Sequence, residues 1–222
     1  MKHFIFKIFF IFLLLPGKLD AVAQVPVADS LPATDLVISY DIKVETGQKK
    51  TSIGDVYDGG SKTIFISKKK ARVRLVSLMR IESIYFLPVN DSIYNIYRVK
   101  ESVKKPEKKV ITADSWKALN SKYEQSICEF KSDSINILVY KCYKAVVTLA
   151  DGRKMEVYYT KELHHINPLV EPAFTTVPGV VLQYSYAYKA GTITYTAVSV
   201  NKGDISPSVF TITSKPLDKI SL

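Results

Sequence analysis

Cysteine is nearly missing from this chain: two residues in 222, too few to build a disulfide-dense mini-protein. Nine glycines and ten prolines exclude a collagenous or low-complexity polypeptide. The longest uninterrupted apolar run is the eight residues Ile8 to Leu15, well short of the roughly 20 that a membrane-spanning helix needs. Histidine is just as scarce. Beyond His3 there are only the neighbours His164 and His165, which point to opposite sides of an extended chain and so do not readily share a metal or substrate. A Cys-x-x-Cys pair, an HExxH helix, a GxSxG elbow, a P-loop and a GxGxxG turn are all missing, so the sequence supports no enzyme, cofactor or metal centre. Glu156, Glu162 and Glu171 lie near one another in the chain, but nothing marks them as buried or paired.

What is present is globular: 47% hydrophobic and 23% charged residues. Lys2 and Lys7, the apolar run, Pro16-Gly17 and then Ala21-Val22-Ala23 form the three-part pattern of a secretory signal peptide, with cleavage expected before Gln24. The expected organisation is therefore 1–23 signal peptide, 24–35 irregular lead-in, and 36–222 a single mainly-β domain. The destination is the periplasm or cell exterior of a diderm bacterium. The chain carries 31 Lys plus Arg against 21 Asp plus Glu. Subtracting Lys2, Lys7, Lys18 and Asp20 with the leader still leaves a net charge of +8. Export makes nucleic acid an unexpected partner and an anionic envelope surface a reasonable one. The clusters Lys68, Lys69, Lys70, Arg72, Arg74 and Lys104, Lys105, Lys108, Lys109 read as a solvated strand edge and a loop.

Period-2 alternation begins with Leu36, Ile38, Tyr40, Ile42 and Val44 and predicts a strand with one buried face. Further strands are predicted over 62–67, 71–78, 81–87, 93–99, 108–112, 125–131, 136–149, 154–160, 180–188, 192–200 and 207–213. One short helix is expected, capped at Asp114-Ser115 and running to about Tyr123, with Trp116, Leu119 and Tyr123 on one face. Closely spaced strands leave no room for parallel crossovers. The fold class is thus mainly β: a single curved antiparallel sheet or half-barrel with one or two short helices.

Two hairpins suggest their own registers. Asp151-Gly152 as a two-residue turn would pair Val146 with Val157 and Thr148 with Met155. A turn at Ala190-Gly191 would put Leu182, Tyr184, Tyr186 and Tyr188 on the face of Ile193, Tyr195 and Ala197, opposite a small and polar reverse face. That aromatic face is either core or the wall of an apolar cavity, and Tyr184, Tyr186, Tyr188, Ile193 and Tyr195 are the ligand-facing candidates. For an exported chain, Cys128 and Cys142 are expected to form a disulfide. Val177, Pro178 and Gly179 read as a chain corner leading into a buried strand.

The segments VYKCYKAVVTLADGRKMEVYYTKEL from Val139 and EPAFTTVPGVVLQYSY from Glu171 go further. Tyr140-Lys141-Cys142-x-x-Ala145, Tyr158-Tyr159-Thr160 and Val177-Pro178-Gly179-Val180-Val181-Leu182, in this order, resemble the GLPGLI family of exported bacterial proteins. Thr176 stands at that family's first motif Gly, valines at its Leu and Ile positions, and Val139 where Gly is usual. The resemblance implies an exported envelope protein, from organisms rich in outer-membrane transporters, without an established activity. By analogy it implies a fold similar to the lipoprotein carriers LolA, LolB and LppX, whose half-barrel holds acyl chains. The expected function is non-enzymatic binding of a hydrophobic ligand or a partner's apolar segment on a concave aromatic-lined sheet; the alternative is a structural or interaction module beside an outer-membrane transporter, with its basic strands as the contact, and a hydrolase comes third. Asp29-Ser30-Leu31, Asp91-Ser92-Ile93 and Asp133-Ser134-Ile135 resemble acceptor sites for O-glycosylation in exported proteins.

Overall fold

In the computed structural model, residues 35–46, 57–90, 94–102, 107–164, 166–188 and 191–212 are described. The leader, nearly all of the lead-in, Lys104, Lys105, His165 and the acceptor patterns at 29–31 and 91–93 lie outside them.

Among the described residues, eleven antiparallel strands form one sheet. They are β1 (Leu36–Thr46), β2 (Ser61–Ser67), β3 (Lys70–Ser77), β4 (Arg80–Pro88), β5 (Tyr94–Lys100), β6 (Glu107–Ile111), β7 (Ile127–Ile137), β8 (Tyr140–Thr148), β9 (Lys154–Thr160), β10 (Val180–Tyr188) and β11 (Gly191–Lys202). Their order is β6-β5-β4-β3-β2-β1-β11-β10-β9-β8-β7. Two meanders of sequential neighbours are therefore stitched together where β1 pairs with β11, and β6 and β7 remain as edges. Local pairing of neighbours accounts for every other seam. The sheet is open, and it curls: β3 and β4 on one wing line the same cavity as β9 and β10 on the other.

The alternation predicted for β1 holds, with Leu36, Ile38, Tyr40, Ile42 and Val44 all buried. They share their side of the sheet with Ile64 and Ile66 from β2 and with Ile193, Tyr195 and Ala197 from β11. The opposite side is covered only locally. There a short 3-10 turn, Pro207–Phe210, replaces the strand expected at 207–213. Pro207 stands in its first turn, where its fixed φ suits a helical start and its missing N–H costs nothing. Val209 of that turn accepts a hydrogen bond from Arg72 at 3.1 Å.

Several local expectations are corrected. The 136–149 run is broken by a turn at Leu138-Val139, with Leu138 at φ 54°, so β7 and β8 are a hairpin rather than one strand. The Asp151-Gly152 hairpin has a longer loop than a two-residue turn. The Gly152 N–H donates to the Leu149 carbonyl and the Leu149 N–H to the Arg153 carbonyl, with Gly152 at φ 81°. This is a type I turn followed by a left-handed glycine. The pairing becomes Thr148 with Lys154 and Val147 with Met155, one residue from the expected register. A one-residue slip exchanges the faces of one strand against the other, and here it gathers Ala145, Val147, Leu149, Met155 and Val157 on the buried side.

The helix, α1 (Ala113–Asn120), is capped by Thr112 rather than by Asp114 or Ser115: the Thr112 hydroxyl accepts from the Ser115 N–H at 3.2 Å. Trp116 packs inward, but Leu119 is exposed, because the helix is too short to turn a full stripe onto the sheet. The first basic cluster is not an edge. Lys68 and Lys69 form the β2–β3 turn, and Arg72 and Arg74 sit on β3, an interior strand. Both arginines bond to the Glu101 carboxylate, Arg72 at 2.9 Å and Arg74 at 3.5 Å. Lys108 and Lys109 do lie on the edge strand β6.

Cys128 and Cys142 are unbonded. Cys128 sits opposite Val147 while Cys142 sits opposite Ile135. Five residues of β8 therefore separate their levels, about 17 Å at the rise of a strand, whereas a disulfide needs Cα atoms within about 7 Å. An odd separation along β8 also turns them to opposite faces. Thiol titration of the denatured, unreduced protein should count both cysteines as free, and reductant should leave the melting temperature unchanged.

Candidate ligand-binding site

The aromatic face of the β10–β11 hairpin forms as the alternation predicts. Tyr188 pairs with Gly191, so the connecting residues are 189 and 190, outside the described residues, rather than 190 and 191. That displacement moves the register by two and preserves the faces. Tyr184 lies directly across from Tyr195. Their rings stack at 4.5 Å and 7°, and each is 8% exposed. Tyr186 continues the stack at 6.5 Å from Tyr184.

Two further rings close around Tyr184. Phe174 meets it edge-on at 5.0 Å and Tyr40 at 6.3 Å; beyond them, Phe86 and Trp116 form another edge pair at 5.3 Å. Edge-to-face and offset geometries are those that aromatic quadrupoles favour.

A buried charge pair stands among these rings. Lys62 is on the inward side of β2 in register with Tyr40, and only 9% exposed. Its Nζ donates to Glu171 Oε1 at 2.8 Å and to the Tyr184 hydroxyl at 3.2 Å, and it lies 5.2 Å from the Tyr184 ring centre. Burial opposes the ammonium charge, but the Glu171 carboxylate and the surrounding phenols outweigh it and raise the lysine above its ordinary value. The Tyr40 hydroxyl donates to the Val181 carbonyl at 2.8 Å, which ties β1 to β10 across β11.

Glu171 comes from the long connection between β9 and β10, and that connection is folded by its own sequence. The Asn167 side chain accepts from the Leu169 N–H at 2.8 Å, an Asx turn. Pro172 opens a single 3-10 turn that ends at the buried Phe174. At the predicted corner the Gly179 N–H donates to the Val177 carbonyl at 2.9 Å, a three-residue turn centred on the fixed φ of Pro178. Val177 is buried and Pro178 exposed. The connection and α1 cover the inner face of the sheet, joined where Trp116 Nε1 donates to the Leu169 carbonyl at 3.1 Å.

Between this cover and the sheet lies a cavity of about 360 Å³, within the range of small-molecule sites. Apolar side chains from both wings line it, among them Val73, Ile84 and Phe86 on one side and Met155 and Tyr186 on the other. Of the five ligand-facing candidates, Tyr184 and Tyr186 reach this space. Tyr195 stands behind Tyr184, Ile193 is 1% exposed in the core, and Tyr188 packs on Tyr57 at 6.0 Å. Lys62, Glu171 and Trp116 also line the cavity; in the sequence Glu171 stood out only as one of three neighbouring carboxylates, Trp116 only as a helix-face residue, and Lys62 not at all. A signal for one existed: Lys62 shares its parity with Ile64 and Ile66, a charge in register with an apolar face.

The other two carboxylates of that trio bond outside the cavity. Glu156 bonds Lys144 at 3.2 Å, and Glu162 accepts from the Lys141 N–H at 3.1 Å. His164 is exposed, and Asp133-Ser134-Ile135 is exposed on edge strand β7. Among the described residues, no group of three His, Cys, Asp or Glu side chains could hold a metal ion.

Burial raises the phenols of Tyr40, Tyr184 and Tyr195 far above the ordinary tyrosine range, and it pushes the Cys142 thiol up to about 11. A raised folded-state pKa contributes stability that is complete below the unfolded value and is lost as pH rises through the folded one. The protein should therefore hold its urea midpoint to about pH 8, begin to weaken above about pH 8.5 as unfolded cysteine ionises, and weaken more steeply above about pH 10, where unfolded tyrosine ionises. Tyr195→Phe should flatten the slope. Tyrosinate absorbance should show the buried phenols ionising only as the fold is lost; early, gradual ionisation of all 14 tyrosines would refute their burial.

No protein-family profile matches the chain, and no curated protein sequence matches it. Solved structures of PNGF-II in its C2 and P21 crystal forms are similar over 80% and 82% of this chain, at 17% and 19% identity, with TM-scores of 0.46 and 0.47. The chain spans 30% and 31% of the PNGF-II chains in those two structures.

Proposed function

We propose that this chain is an exported, non-enzymatic binding protein that holds a hydrophobic ligand inside its curled sheet. The observation that carries the reading is the cavity of about 360 Å³ between the tyrosine stack and its cover, walled mainly by apolar and aromatic side chains. Such a wall removes apolar ligand surface from water, at about 25 cal/mol per Å², while the phenol and amide groups around it fix orientation. The signal-peptide pattern, the resemblance to the GLPGLI family and the half-barrel analogy to lipoprotein carriers all support an envelope location. The test is direct: native mass spectrometry and organic extraction of protein purified from an envelope fraction, with a thermal-shift screen of fatty acids and lipids. Binding should raise the melting temperature with ligand concentration. No co-purifying apolar molecule and no shift would end this reading.

One observation favours the alternative of an interaction module beside an outer-membrane protein. The edge strand β7 exposes Ile127, Phe130 and Ile135, and an exposed edge with apolar side chains is a place for a partner strand to add. Crosslinking in the native envelope separates the two, since a module should give one fixed neighbour.

A further inference from the structure

The charges around the cavity are sorted by depth. The deep pair, Lys62 and Glu171, is neutralised within itself. The other charged residues lining the space are Lys122, Arg153 and Lys154, all three exposed and all three basic. They come from two neighbouring elements, the turn after α1 and the β8–β9 turn with the first residue of β9. Arg153 bonds to Asp151, its Nε donating to Oδ2 at 2.8 Å. Lys122 lies over the Tyr123 ring at 4.9 Å. Among the described residues, neither Lys122 nor Lys154 forms an ion pair. Opposite them the wing formed by Val73, Ile84 and Phe86 offers only apolar lining. Asp151 is within electrostatic reach of Lys122 as well as Arg153, and Glu129 of Lys154, so three cations stand against two carboxylates and the net positive charge left at the mouth favours an anionic head over an uncharged or cationic one.

We infer that the cavity takes a single-chain amphiphile with an anionic head, its tail between Phe86, Tyr184 and Tyr186 and its carboxylate or phosphate at Lys122 and Lys154. This rests on the ligand-binding reading above and specifies its chemical class. Each lysine presents a strongly hydrated point charge with three rotatable donors, and such contacts at a mouth are weakened by salt.

Four probes of equal chain length test it, each titrated below its micelle concentration into the intact protein by calorimetry: dodecanoate, dodecyl phosphate, dodecanol and dodecyltrimethylammonium. The two anions should bind about tenfold more tightly than dodecanol, and the cation least. A tenfold preference is about 1.4 kcal/mol, close to the low end of what one hydrogen bond to a charged group contributes. A preference for dodecyl phosphate over dodecanoate would place a phosphate head at the mouth, and the reverse a carboxylate; either supports the class. The double variant Lys122→Gln, Lys154→Gln should abolish the anion preference and leave dodecanol affinity unchanged. Lys108→Gln, Lys109→Gln on edge strand β6 removes the same charge elsewhere and should keep the preference. Equal affinity for all four probes, or a preference that survives the mouth variant, overturns the inference while the cavity reading stands. Binding of none of them fails the cavity reading itself.

Discussion

Glu171→Leu should lower the melting temperature by roughly 6–12 °C. The Lys62–Glu171 pair is nearly buried, at 11% and 12% side-chain exposure, and removing one member leaves an uncompensated ammonium among aromatic rings. Such a break costs about 3 kcal/mol or more. In a chain of this length each kcal/mol moves the midpoint by roughly 2–4 °C. The three ring contacts of Lys62, at 5.2–6.0 Å, and its hydrogen bond to Tyr184 soften the loss without replacing a carboxylate. The pair itself is a different matter. Desolvation of both charges offsets most of their attraction, so the double variant Lys62→Met, Glu171→Leu should return to within about 1 kcal/mol of the parent. Urea unfolding of the single and double variants checks both statements. A single variant as stable as the parent would show that water reaches the ammonium and that the connection between β9 and β10 does not seal the sheet there.

The second large effect belongs to Gly179. A Cβ built there would overlap the Thr160 carbonyl oxygen and stand 3.1 Å from Tyr159 Cδ2. Thr160 is fully buried and pairs with Val180 at the start of the β9–β10 ladder. Its carbonyl cannot retreat without opening that ladder. The glycine is therefore required by close approach of two backbones, since its φ is not among the positive ones. Gly179→Ala should cost about 3 kcal/mol, at the upper end of overpacking effects. Pro178→Ala, one residue earlier and exposed, should cost under about 1 kcal/mol because it mainly loosens the unfolded chain. Chemical denaturation of the two variants side by side gives the contrast; equal small losses would mean that the corner can relax.

The recognisable corner motif thus has a steric reason in this chain. The valine-rich stretch after it is buried without alternation, Val180, Val181 and Leu182 together, because a bulge between Val181 and Gln183 inserts a residue into β10. Leu182 thereby restores the parity that carries Tyr184 and Tyr186 to the inner face.

Parity is what the linear chain determined well. In β1, β2, the 182–188 part of β10 and the 191–197 part of β11, alternation assigns each side chain to a face whatever the neighbouring strand, so the sheet class, the tyrosine face and the inward course of β1 were readable. Chain order also sufficed for the two meanders, since strands joined by short loops pair locally. Three things required the third dimension. Loop length at Ala150-Asp151-Gly152 set the β8–β9 register, because a type I turn with a left-handed glycine and a two-residue turn can share the same Asp-Gly. The distance between Cys128 and Cys142 depended on how β7 pairs with β8, which no count of intervening residues supplies. The partner of Lys62 lies 109 residues away at Glu171, brought there by the fold of a connection that has no periodicity to read. The cavity is of this last kind. Whether aromatic side chains fill a curled sheet or leave space depends on how α1 and the β9–β10 connection seat on it, and that is a property of volume, not of sequence pattern.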